Sequence, residues 1–235
     1  MAICHVSVQV ISRSEGRTAT GAAAYRSATA IANTITKTVY NYTHKTGVDH
    51  SEILTPKLPT VDKSWLTDRA QLWNEVEKKE KRHDAQLARE VNVAIPVELD
   101  RQDQIDLVRE YAQTSYVDRG MVADINWHDL DSNNPHAHIM LTMRNLVVSN
   151  GQIEFGNKNR DWNDRNLLID QRREWAEITN RYLENAGYEV KIDHRSLVEQ
   201  GITDRLPQIH LGANVAAMRE RGIATDRGDE YDRIN

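Results

Sequence analysis

Apolar and polar residues alternate from the start of the chain. Between Ile3 and Ile11, Cys4, Val6, Val8 and Val10 fall on one side of a period-two ribbon, while Ile3, His5, Ser7 and Gln9 fall on the other. That pattern predicts a strand with one buried face. After the turn-like SRSEGR, residues 18–33 are rich in alanine and predict a helix with Tyr25 in its first turns. Residues 62–88 predict further helix in one or two pieces, with Trp65, Leu72, Trp73 and Val76 as its apolar contacts. Alternation returns at Arg89–Ile95, where Val91, Val93 and Ile95 oppose Glu90 and Asn92 and Pro96 ends the strand. Asp100 then caps a helix to about Asp118, with Ile105, Val108, Ala112 and Tyr116 at helical spacing and Gly120 beyond its end. Strands follow at 121–128 and 136–143 around a polar loop. Their apolar sides carry Met121, Ala123, Ile125 and Trp127, then Ala137, Ile139, Leu141 and Met143. A helix over about 164–186, stopped by Gly187, and a short strand at Tyr188–Ile192 complete the pattern. Strands interleaved with helices, several joined as hairpins, predict an α+β fold: an antiparallel β-sheet with flanking helices.

Composition narrows the class. The 235 residues are 39% hydrophobic, enough to build one core, and with no linker or repeat residues 1–212 read as one domain. The ending RGIATDRGDEYDRIN has no clear apolar period, so residues 213–235 read as a charged helix or linker leading towards a downstream region. The single cysteine, Cys4, rules out an internal disulfide framework and suits a reducing cytoplasm. No apolar run is long enough to insert in a membrane, and the N-terminus does not read as a signal peptide. A net charge of -5 opposes nucleic-acid binding, but its distribution favours it. Arg13, Arg17, Arg26, Lys37 and Lys45 surround the Tyr25 segment, and Lys158, Arg160, Arg165, Arg172 and Arg173 form a second basic group.

The chemistry concentrates in WHDLDSNNPHAHIML, residues 127–141. His136 and His138 lie two apart on a strand and project from one face, and His128 ends the preceding strand on the matching face. Three neutral imidazoles can ligate one metal ion and leave coordination positions open, as catalytic sites do. A calcium loop starting at Asp129 fails, because Asn134 stands where glycine is needed and Met140 where a glutamate is. Strand parity adds Glu90 and His5 to the same polar face. Glu90 could orient a ligating imidazole or accept a nucleophile's proton; His5 reads as a support beneath the site. Sequence physics alone does not choose a nucleophile among the eight tyrosines.

Three blocks in order, MAICHVSVQVISRSEGRTATGAAAYRSA, WNEVEKKEKRHDAQLAREVNVAIPVELD and NPHAHIML, resemble the MobA/MobL family of plasmid-mobilisation relaxases within the HUH endonucleases. The likeness continues through GMVADINWHD, RDWN, HRSLVEQGI and QIHLG. It implies a relaxase domain over 1–212, in an HUH fold that presents a histidine cluster on one sheet face. It also implies Tyr25 as nucleophile, His128, His136 and His138 as metal ligands, and Glu90 as the acidic residue beside the metal. The implied reaction is transesterification at an origin of transfer, leaving a 5'-phosphotyrosyl link and a free 3'-hydroxyl that later reseals the strand. The implied cofactor is a divalent metal ion, manganese or magnesium in function, with zinc or nickel able to occupy an all-imidazole site. Implied partners are single-stranded or hairpin DNA, relaxosome accessory proteins and a type IV secretion coupling protein, in the cytoplasm of a bacterial donor cell. Arg13, Arg17, Arg26, Arg160 and Trp162 are the candidate DNA contacts. Rival readings are a rolling-circle replication initiator, in which the tyrosine usually follows the histidine motif, a three-histidine hydrolase of small molecules, and a DNA-binding module without activity.

Overall fold

A computed structural model describes residues 3–59, 62–204, 206, 207, 209 and 211–234. In chain order the elements begin with β1 (Val6–Ser12), α1 (Ala19–Ser27), β2 (Ala30–Ala32), β3 (Val39–Asn41), β4 (Val48–Leu54), α2 (Ser64–Thr67) and α3 (Arg69–Lys79). They continue with β5 (Gln86–Ala94), α4 (Arg101–Ala112), β6 (Ala123–His128), β7 (His136–Leu141), β8 (Arg144–Ser149), β9 (Gln152–Lys158), α5 (Arg165–Asn185), α6 (Ala213–Glu220) and α7 (Asp226–Ile234). Five strands form an antiparallel sheet in the order β1-β5-β7-β6-β4, and β2–β3 and β8–β9 form separate two-stranded hairpins.

The alternation read from the sequence decides how this sheet is buried. Val91, Val93, Ile125, Trp127, Ala137 and Ile139 all turn to one side, where α4 and α5 cover them with Leu107, Val108, Tyr111 and Trp175. On the opposite side, Ile11, Ala88 and Met140 pack beneath α1 and α3 through Ala19, Ala23, Leu72 and Trp73. Helices α1, α3, α4 and α5 each start where a polar side chain takes an otherwise unpaired N–H: Thr18 accepts from Gly21, Asp68 from Gln71, Asp100 from Asp103 and Asp164 from Asn166.

Three local expectations change. The alanine-rich helix stops at Ser27 rather than near residue 33, because Ala28 takes a left-handed conformation at φ 52° and Ile31, buried, pairs with Tyr40 across β2–β3. Tyr25 therefore lies in the last turn of α1, not the first. The helical stretch of 62–88 ends at Lys79, where Glu80 turns inward to Arg144 and Lys158 at 2.7 and 3.2 Å. No strand forms at residues 188–192. There both the N–H and the carbonyl of Ile192 bond to the Asn180 side chain, so its backbone is satisfied without a ladder.

The chain divides into two compact units, Met1–His194 and Arg195–Asn235. In the second, Arg219 ties α6 to α7 through Asp232 at 2.6 Å and stands over the Tyr231 ring. Gln208 and His210, from the late sequence block, lie outside the described residues. Among the described residues no helix is long and apolar enough to cross a membrane.

Candidate active site

Register across the sheet brings the predicted residues together. One row runs Gln9, Glu90, Met140, Asp124; the next runs Ser7, Asn92, His138, Asn126, Ser51; a third runs Ala94, His136, His128. Glu90 and the three histidines thus share a face on the three middle strands. His5 is exposed and meets this third row at Ala94, whose N–H bonds to the His5 carbonyl.

The three imidazoles form a nearly equilateral triangle, with centroids 5.2, 5.0 and 5.3 Å apart. Three rings bound to one ion at ordinary metal–nitrogen distances and tetrahedral directions would have centroids about 5 Å apart. Each ring also donates one N–H to an oxygen: His128 through Nε2 to the Arg26 carbonyl, His136 through Nδ1 to the Asn134 carbonyl, and His138 through Nδ1 to Glu90, each at 2.8 Å. The tautomers are therefore fixed, leaving an acceptor nitrogen on every ring, as in metal sites whose outer partners orient the ligands. Burial, with the neighbouring His138, Lys45 and His136, pushes His128 down to about 3. Burial likewise lowers His138, against the pull of Glu90. Both stay neutral, the form that ligates. Among the described residues no group of His, Cys, Asp or Glu is drawn together closely enough to hold an ion. The triangle and the tautomers fit a cation.

Glu90 is fully buried and accepts from Gln9, from Arg26 through two nitrogens, and from His138. Burial pushes its carboxyl up, yet the bonds from His138 and Arg26 and the Arg26 charge together outweigh it and hold it down to about 2. All its close partners are donors, among them the His138 Nδ1.

Tyr25 is 47% exposed and meets the Tyr42 ring edge-on at 5.2 Å. Its chain neighbour Arg26 turns the other way, binds Glu90, and offers its own carbonyl to His128. One residue thus ties the end of α1 to two parts of the histidine site. The sequence offered Arg26 as a DNA contact; an arginine among inward-facing alanines was the available sign that it is buried instead.

Other nominated DNA contacts are also engaged internally. Arg13 pairs with Glu77 at 2.8 Å and bonds the Glu80 and Arg82 carbonyls. Arg17 bonds Gln9 and lies 3.9 Å from Glu90. Trp162 is 4% exposed and packs in the core, with its carbonyl bound by Arg89, so it is no stacking platform. Arg160 is exposed.

The fold is that of a conjugative relaxase. The chain superposes on the relaxase TrwC, solved with origin-of-transfer DNA in a metal-free structure, with a TM-score of 0.50 at 12% identity over 94% of this chain and 85% of that one. Within that class the sequence is more specific: the model of the MobA/MobL family matches residues 17–221, and the chain belongs to the MobA/MobL family. A solved structure described as the molecular basis of vancomycin-resistance transfer in Staphylococcus aureus shares 33% identity and a TM-score of 0.76, over 83% of this chain and all of that one. A conjugal transfer protein TraA from Rhizobium radiobacter is 33% identical over the whole of this chain. The chain spans 23% of that relative's length.

Proposed function

We propose that this chain nicks one strand of DNA at a plasmid origin of transfer, through attack of Tyr25 on the scissile phosphate, and rejoins the strand by the reverse step. The observation that carries this reading is the coupling of an exposed tyrosine, through Arg26, to a triangle of neutral imidazoles. Family membership supports it. We assign the activity to residues 1–212; relaxosome proteins and a secretion coupling protein are partners of the whole protein.

In this reading His128, His136 and His138 hold a divalent cation through the nitrogens left free by their outer hydrogen bonds. When bound, that cation withdraws charge from the phosphate. Tyr25 gives up its phenolic proton to solvent, and its oxygen bonds to phosphorus as the bond to the 3'-oxygen breaks. The 3'-oxygen takes a proton from solvent, so charge and atoms balance, and the phosphodiester energy is kept in the tyrosyl ester. Glu90 holds the His138 ring and takes no proton, while Arg26 fixes the distance from α1 to the sheet.

The test uses labelled single-stranded oligonucleotides tiled over the DNA flanking the encoding gene, with manganese chloride. The expected result is a protein–DNA adduct that survives denaturing electrophoresis, disappears with chelator and is absent from Tyr25→Phe. An adduct formed undiminished by Tyr25→Phe would refute the assignment, and hydrolysis without any adduct would favour a histidine-metal hydrolase.

A further inference from the structure

Arg13, Arg17 and Arg26, the arginines the sequence places around Tyr25, are bound to Glu77, to Gln9 and to Glu90. A phosphate arriving at Tyr25 finds a different cation. The Lys45 ammonium stands 4.0 Å from the centre of the Tyr25 ring and 3.3 Å from the Tyr25 carbonyl oxygen. Among the described residues no salt bridge within 4.0 Å holds it.

Its position is built rather than incidental. The Lys45 N–H closes a turn onto the Tyr42 carbonyl, and the Tyr42 N–H bonds Thr29 at the exit of α1. Two residues on, the Gly47 carbonyl accepts from Asp129, the residue after His128. Gly47 lies at φ +86°, where a Cβ would come within 2.6 Å of the Asp129 carboxylate, so the loop and the histidine turn meet at a point only glycine allows. The loop over 42–47 is therefore fastened to the tyrosine helix at one end and to the histidine hairpin at the other. The Lys45 ammonium is thereby held over the Tyr25 ring.

We infer that Lys45 is a catalytic residue of the nicking reaction, its ammonium binding a non-bridging oxygen of the scissile phosphate while Tyr25 attacks. The inference rests on the proposed function. Lys45 keeps its proton throughout. It offsets the negative charge that builds on the phosphoryl oxygens as the Tyr25 oxygen bonds to phosphorus and the 3'-oxygen leaves. Partly removed from water, a cation there is worth more than at an open surface.

The experiment compares wild type with Lys45→Met, which keeps the aliphatic stem against Tyr25 and removes only the charge. Both are assayed with manganese on the tiled oligonucleotides, then on the cleaved oligonucleotide carrying each methylphosphonate diastereomer at the scissile position. On the natural phosphate, Lys45→Met should form adduct roughly a hundredfold more slowly, with DNA affinity changed less than about threefold. On one methylphosphonate diastereomer, where the oxygen facing Lys45 has become a neutral methyl, that deficit should fall below about tenfold. A purely structural role would slow all substrates alike, so an undiminished deficit on both diastereomers overturns the inference, as does Lys45→Met nicking at the wild-type rate. Failure of wild type to form adduct on any tile would instead overturn the nicking reading and this inference together.

Discussion

Replacing Arg26 by methionine keeps the unbranched apolar stem of the side chain and removes the guanidinium that binds Glu90. Arg26 is 9% exposed at its side chain and Glu90 not at all, so the carboxylate left behind cannot be rehydrated in place. Breaking a buried ion pair from one side costs about 3–5 kcal/mol. Gln9 and His138 remain as donors and Arg17 stays 3.9 Å away, which puts the expected loss near the lower end, about 3 kcal/mol. For a domain of this size that corresponds to a melting temperature lower by roughly 6–12 °C. The double variant Arg26→Met with Glu90→Gln removes both charges and should regain most of the loss. The pH dependence gives a second reading. In wild type the Glu90 carboxyl, held at about 2 against an ordinary 4.5, contributes stability that is present above about pH 4.5 and lost as the pH falls towards 2. Without Arg26, burial dominates and the carboxyl rises, so the folded variant takes up the proton earlier and its deficit should narrow from about pH 7 to about pH 4. Urea unfolding with chelator, followed by circular dichroism, measures both. A loss below about 1 kcal/mol at neutral pH, or a deficit that does not shrink on acidification, would refute the account of Arg26 as the partner that neutralises Glu90.

Trp162→Ala should destabilise by about 3–5 kcal/mol in urea titrations, with unchanged affinity for single-stranded DNA where the variant is folded; retained stability with lost affinity would return Trp162 to the DNA surface. Gly47→Ala forces a side chain into a left-handed conformation against Asp129 and should cost about 1–3 kcal/mol in the same titration. An unchanged midpoint would mean that the junction of the Lys45 loop with the histidine turn is looser than its geometry.

Strand parity was the most informative signal in the sequence. Period-two alternation placed Val91 and Val93, Ile125 and Trp127, and Ala137 and Ile139 on the buried side, and by the same parity put Glu90, His128, His136 and His138 on the other. What it could not give were contacts set by distant segments. Strand β4 went unread because its residues are half-buried almost throughout, as befits an edge strand with no clean alternation. Alanine content extended α1 past Ser27, since helix propensity does not register that Ile31 has a partner in β3. Arg26 was misread for a related reason: an arginine looks solvent-facing until Glu90, 64 residues away, is known to lie beneath it. For Trp162 the sequence allows DNA contact or a place in the core, and the distant Arg89, which binds its carbonyl, goes with the second.

The sheet that carries the histidines is packed on both faces, by α4 and α5 on one side and by α1 and α3 on the other. Sliding one middle strand past another would disturb both cores at once, so the imidazole triangle is the fixed part of the machine. The loop over 42–47 has no such double cover: Thr43, His44 and Thr46 are exposed, and Tyr25 itself is nearly half open. The open side of the proposed site is therefore the tyrosine and lysine side, and a strand approaching from solvent meets Tyr25 and its loop before it meets the histidines packed between the two cores.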